Sequence, residues 1–280
     1  MSLSASSLSQ LEYPGISGPA LAALSSLTAS DILWIKSLPK AELHAHLNGC
    51  VPIEVLFEQL YDIHEFFGAF RTIYALISTR KTLGAATRAV LQGFLDAPNK
   101  RKGNNISGLE GGLTPDDYPE CTYLELRTTP RRTPALSPKE YLETVLDEVE
   151  KYPRDRAALI VSLDRRMGLL SYAPNRLGHA TFLDEQARDL VLKDRMLVEV
   201  CLSSNIICKT VPNLSSHHIS HYLDRGHPIA VCTDDTLPFR TSLTAEYALL
   251  LALPPLGLGL TREEVQKVAE GSINGSWMTS

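Results

Sequence analysis

The 280-residue chain is 44% hydrophobic and 21% charged, the composition of an ordinary globular protein whose length suits one large α/β domain or two small ones. With 27 Lys+Arg against 32 Asp+Glu the net charge is −5, which argues against a broad basic face for nucleic acid; no apolar run approaches the roughly 20 residues of a membrane span. Five cysteines, odd in number and without CxxC pairs, argue against a disulfide scaffold and suit a reducing compartment, so the expected setting is cytoplasmic, without nucleic-acid or membrane partners.

Residues 1–36 read as a poorly ordered lead-in: the first 30 carry nine serines, no Lys or Arg, and two prolines that interrupt the apolar stretch. From there to residue 280 the chain alternates short apolar strands with helical stretches. Strands are predicted at Glu42–Leu47, Cys121–Arg127, Ala158–Leu163, Arg176–His179, Leu197–Ser203 and Ile229–Thr233. Helices are predicted at Val51–Tyr61, Thr72–Leu95, Pro138–Tyr152, Asp184–Lys193, Ser215–Arg225 and Thr261–Glu270. Pro138 suits a first turn, and Thr261 with Glu264 forms a capping-box pattern. Such alternation implies a mostly parallel sheet. Two places break it. Residues 98–119 hold four glycines, three prolines and a basic triplet, and read as an inserted surface loop. The strand ending near Asp164 reaches the next strand, at Arg176, without room for the dozen or more residues of a parallel crossover.

Side chains suited to chemistry collect at strand ends. His44 and His46, two apart on one strand, face the same way and suit Zn²⁺ or Fe²⁺; on residues alone they equally suit a solvated strand edge. Asp234 and Asp235 follow an apolar strand and read as a metal ligand beside a substrate contact rather than as a helix cap. His179, alone after its strand, has no special reading by itself. Arg131 and Arg132, in Thr128-Thr129-Pro130-Arg131-Arg132, suit a phosphate or carboxylate, or a solvated loop. His217, His218 and His221 include an i,i+4 pair, but without a carboxylate or strand nearby they read as a surface helix.

Taken in order, LPKAELHAHLNG, YLELRTTPRR, LIVSLDRR, RLGHATFLD, VEVCLSSN and HPIAVCTDD resemble motifs of the adenosine deaminase superfamily, over roughly residues 37–275. HAHLNG, TPRR and DRR together resemble its adenosine deaminase-like branch, which deaminates N6-methyl-AMP. The resemblance implies a metal-dependent (β/α)8 hydrolase barrel with its site at the C-terminal strand ends. It also implies one Zn²⁺ on His44, His46 and Asp234. His179 would orient the attacking hydroxide and Asp235 would contact the purine. His46, Asn48, Tyr74, Thr128, Thr129, Pro130, Arg131 and Asp164 would bind the nucleotide, with Tyr74 standing where the family usually has histidine. The implied reaction is hydrolysis of N6-methyl-AMP to IMP and methylamine by a monomer, in nucleotide metabolism.

One departure cuts into that expectation. The family carries a Gly-Asp motif and then an HxxE motif, which supplies a metal-ligand histidine and a proton-shuttle glutamate. Both belong between DRR and RLGH, where this chain has only Met167–Asn175, and HxxE occurs nowhere else in it. About two βα units of roughly 30 residues each are therefore expected to be missing, leaving an incomplete barrel with impaired catalysis. The alternatives are a catalytically dead remnant that binds nucleotide or metal, and an exon-skipped or misassembled gene product.

Overall fold

The computed structural model describes residues 13–53, 55, 73–101, 113–162 and 174–277. The Val51–Tyr61 helix (but for its first residues), Asp164, most of the Met167–Asn175 junction, residues 1–12 of the lead-in and the centre of the 98–119 loop lie outside these residues.

All six predicted strands form. They are β1 (Ala41–His46), β2 (Tyr123–Thr128), β3 (Ala157–Val161), β4 (Arg176–Gly178), β5 (Leu197–Val200) and β6 (Ile229–Val231). They build two parallel three-stranded sheets, β1-β2-β3 and β4-β5-β6. A single parallel bridge between Ala45 and Asp234 joins β1 to the chain leaving β6, and the His46 amide donates to the Asp234 carbonyl at 3.1 Å. The order thus runs β3-β2-β1-β6-β5-β4. Among the described residues no pairing joins β3 to β4, the two strands that flank the short junction.

Helices cover the outer faces. They are α1 (Gly18–Ser26), α2 (Ala29–Ser37), α3 (Arg80–Leu95), α4 (Pro138–Val149), α5 (Glu185–Lys193), α6 (Leu202–Ile207), α7 (Ile219–Leu223), α8 (Leu243–Leu251) and α9 (Arg262–Asn274). Ser137 and Glu140 close a capping box on α4, and Thr261 and Glu264 another on α9, each satisfying amides that a helix start leaves without partners. Residues 18–36, expected as part of a poorly ordered lead-in, instead fall largely in α1 and α2. Their Ala20, Ala23, Leu24, Ile32 and Ile35 are buried, and α1 packs on α8. Serine content concealed this, because the apolar residues lie on the inner sides while Ser25, Ser26, Ser30 and Ser37 take exposed positions of the same helices. α8 escaped the periodicity reading for another reason. Its sequence LTAEYALLL is buried from Leu243 to Leu250, so no polar face marks the helical repeat.

The core has two parts. Outward-facing Leu124, Leu126, Val198, Val200, Ile229 and Val231 pack against helices. On the opposite face Ala41, Leu43, Tyr123, Leu197, Cys201, Ala230 and Cys232 form a cluster to which both sheets contribute. Above it the interior is ionic. Arg176 on β4 pairs with the fully buried Glu125 on β2 and lies 3.4 Å from Glu199 on β5. Arg127 on β2 reaches Glu199 at 2.6 Å, so two ion pairs span from one sheet to the other. Removing one partner of such a pair leaves a charge in low dielectric. Arg176→Ala is expected to cost about 3–5 kcal/mol, read as a fall in the urea midpoint of unfolding.

Candidate metal and nucleotide site

β1 carries a register irregularity between Glu42 and Ala45. The buried Glu42 carboxylate accepts from the His44 amide at 2.8 Å and from the Thr233 amide at 2.9 Å, which ties the His44 turn of chain to the residue before Asp234. Burial pushes that carboxyl up to about 7. Asp234 itself has φ of 62°, a left-handed conformation rare outside glycine, and so turns its side chain back over the strand ends.

His44, His46 and Asp234 meet there, each offering one ligand atom, all within 4.8 Å of one another. His46 Nε2 is 3.5 Å from Asp234 Oδ1, and Ser204 Oγ donates to Asp234 Oδ2 at 2.7 Å. His44 Nδ1 lies 2.7 Å from Glu199 Oε2, an acceptor that fixes the ring proton on Nδ1 and leaves Nε2 free for a metal. Burial, then the nearby positive groups, holds His44 well below its ordinary range; burial also lowers His46, so both rings are in the neutral, ligating form at neutral pH. Two neutral imidazoles and a carboxylate, with a carboxylate behind the first imidazole, fit Zn²⁺. Gly178 makes the arrangement possible: a Cβ there would stand 2.5 Å from His44 Cε1.

His179 stands beside the triad. Its Nε2 is 3.6 Å from Asp234 Oδ2 and its ring centroid 4.8 Å from that of His44. A second possible ligand grouping, His44, His179 and Cys201, shares His44 with the first. Asp235 is pushed up to about 8 by burial and then by Asp234, so it keeps a proton at neutral pH. Gly49 leaves room for its carboxyl, where a Cβ would come within 1.8 Å of Oδ1.

From the triad a cavity of about 560 Å³ extends toward the β2 end. His46, Asn48, Tyr74, Thr128, Thr129, Arg131 and Asp235 line it, all of them expected in substrate binding. Pro130 is not among the lining residues, and Asp164 lies outside the described ones. Arg131 sits with its guanidinium carbon 3.7 Å from the Tyr74 ring centroid and 5.8 Å from that of Tyr141, while its buried Nε has no hydrogen-bond partner. Stacking on aromatic faces holds the fork and leaves donors for an anion.

Sequence reasoning passed over several residues. Arg127 lines the cavity, and Glu199 orients His44; each sat within a quoted motif, but only the paired strands show them converging. The surface-helix reading of His217, His218 and His221 is corrected for His217, which is 2% exposed, and for His218, which is half-buried. His217 precedes α7 rather than lying within it, Asn205 Oδ1 is 3.2 Å from its Nε2, and the Ile219 amide donates to its Nδ1 at 3.1 Å. Burial, then His218 and His179, pushes His217 down to about 3 from its ordinary 6.5. Below 6.5 the unfolded chain takes up a proton that the folded chain refuses until about 3, so this residue subtracts stability as pH falls through that window. The stability advantage of the wild type over His217→Gln should shrink correspondingly in urea melts across it.

Comparisons with known proteins bear on the fold and the family resemblance. Residues 167–280 match the family model described as Adenosine deaminase. An N6-methyl-AMP deaminase of Danio rerio is 25% identical over 347 positions, covering 88% of this chain and 92% of the relative. That alignment is longer than the chain itself, so the relative carries residues without counterparts here. Among solved structures, an Arabidopsis protein complexed with IMP superposes with a TM-score of 0.68 at 24% identity, covering 87% of this chain and 93% of that one. An amidohydrolase with bound Zn, from Burkholderia ambifaria, gives 0.67 at 14% identity, covering 90% and 89%. The fold is thus an α/β metal-hydrolase fold.

Proposed function

We propose that the chain is a member of the adenosine deaminase family, a hydrolytic purine deaminase by descent, and that its site binds zinc and a purine 5′-monophosphate, with N6-methyl-AMP as the substrate and IMP and methylamine as the products. The observation that carries the reading is one cavity lined both by His46, a member of the triad with His44 and Asp234, and by an aromatic-stacked arginine, Arg131.

In this reading Arg131 holds the phosphate, with Thr128, Thr129 and Asn48 along the sugar. Asp235, protonated at neutral pH, donates to a purine ring nitrogen and so turns C6 toward the triad. His44, His46 and Asp234 would hold the zinc, which when bound supplies the acidification of water from a pKa of 15.7 to about 7. His179 faces the same point and orients the attacking water with its ring nitrogen. Addition at C6 and loss of methylamine complete the hydrolysis.

Among the described residues the six strands and the absence of a pairing between β3 and β4 support a (β/α)8 barrel that has lost two units, and with them the histidine and glutamate of HxxE. A missing acid–base group costs typically 10²–10⁴-fold in rate, and a missing metal ligand costs more. The binding functions are therefore retained better than turnover.

Two measurements test this. Calorimetry should find one zinc per chain and binding of IMP; Arg131→Ala should weaken IMP by about 1.5–3 kcal/mol, the worth of hydrogen bonds to a charged group, while leaving inosine nearly unchanged. Equal losses for both ligands would remove the phosphate assignment. With zinc present, N6-methyl-AMP should be converted to IMP at a rate at least about 10²-fold below that of an intact relative; a comparable rate would show that HxxE is dispensable.

A further inference from the structure

The paired histidines before α7 find their use in the residue they surround. Ile219 donates its amide proton to His217 Nδ1 at 3.1 Å, so that nitrogen is an acceptor and the neutral ring carries its proton on Nε2. Nε2 lies 3.2 Å from Asn205 Oδ1 and donates to it. This sets which way the Asn205 amide faces. Its Nδ2 then points to Thr210 Oγ1 at 3.0 Å, Thr181 Oγ1 at 3.4 Å and His179 Nδ1 at 3.5 Å. An amide nitrogen only donates, so His179 Nδ1 must accept, and the neutral His179 ring carries its own proton on Nε2. That atom is the one 3.6 Å from Asp234 Oδ2.

His218 acts on the backbone of the same residue. Its Nε2 is 2.7 Å from the His179 carbonyl oxygen, which can only accept, so His218 donates. His179 and Ala180 have φ of 58° and 51°, consecutive left-handed residues at the end of β4 that need support from outside the local chain. The His179 amide donates to the Glu199 carbonyl at 2.7 Å, and the His218 bond fixes the other side of the residue. His217 and His218 stack with ring centroids 4.4 Å apart at 21°, so the two donors form one unit.

We propose that His217, His218 and Asn205 form a two-point clamp on His179, His218 holding its backbone and His217 setting, through Asn205, the tautomer that presents an Nε2 proton to the Asp234 carboxylate. These are positioning residues, acting through His179. The clamp makes His179 a proton donor toward the triad and keeps it from serving as a further metal ligand. The proposal rests on the reading of His179 as the histidine that faces the triad, but it is tested without metal or substrate.

Nitrogen-15 histidine spectra of the full chain, at a pH where the ring is neutral, report the proton position directly, with peaks assigned by single His→Gln variants. In the metal-free wild type, His179, His217 and His218 should all be Nε2–H. Asn205→Asp replaces the donor amide by an acceptor and should reverse the dominant His179 tautomer to Nδ1–H. His217→Gln, which frees the Asn205 amide to turn over, should shift the His179 tautomer ratio in the same direction. An Nδ1–H ring at His179 in the wild type would overturn the clamp, as would a His179 ratio unmoved in a folded Asn205→Asp or His217→Gln protein. The wild-type spectrum decides the matter even if both variants fail to fold. Absence of zinc binding in a parallel titration would sink the metal reading while leaving the tautomer result intact.

Discussion

The carboxylate of Glu199 is where fold and site depend on one another. It is 1% exposed on β5 and receives Arg127 from β2 at 2.6 Å, His44 from β1 at 2.7 Å and Arg176 from β4 at 3.4 Å. Burial raises its pKa, and the two arginines oppose that shift. A charge so placed is tolerable only with partners, and the partners come from both sheets. The same group therefore draws the two sheets around one interior and fixes the ring of a candidate metal ligand, His44.

That coupling explains the layout above it. Gly178 brings the β4 backbone against the His44 ring, and Glu42 ties the turn at His44 to Thr233, so that three strand ends share a small volume. The cavity then opens sideways along the ends of β1 and β2. No HxxE motif occurs in the sequence to add an acid–base group there.

Legibility in the sequence followed physical scale. Strand order and the chemistry at strand ends were readable because apolar runs of four to six residues ending in His, Asp or Thr-Pro-Arg carry a local signal. The pairing of His44 with His46 needed only the two-residue repeat of a strand. Helices α1, α2 and α8 were lost because their signal is burial against distant residues. The histidines at 217 and 218 were misread for the same reason. A five-residue helix with polar neighbours looks solvated until Asn205 and the β4 end are brought over it.

By itself the sequence carried the family resemblance, the parallel α/β character, the candidate donors His44, His46 and Asp234, and the absence of HxxE, since each depends on residue identity and short-range spacing. Tertiary structure alone decided which nitrogen of His44 is free, why Asp235 keeps its proton, how Arg131 is held against Tyr74 and what His217 and His218 are for. Those are consequences of burial and of hydrogen bonds between residues up to 155 positions apart. A proton's place on a ring is set by whichever donor or acceptor the fold delivers to it, and no local pattern in the chain encodes that delivery.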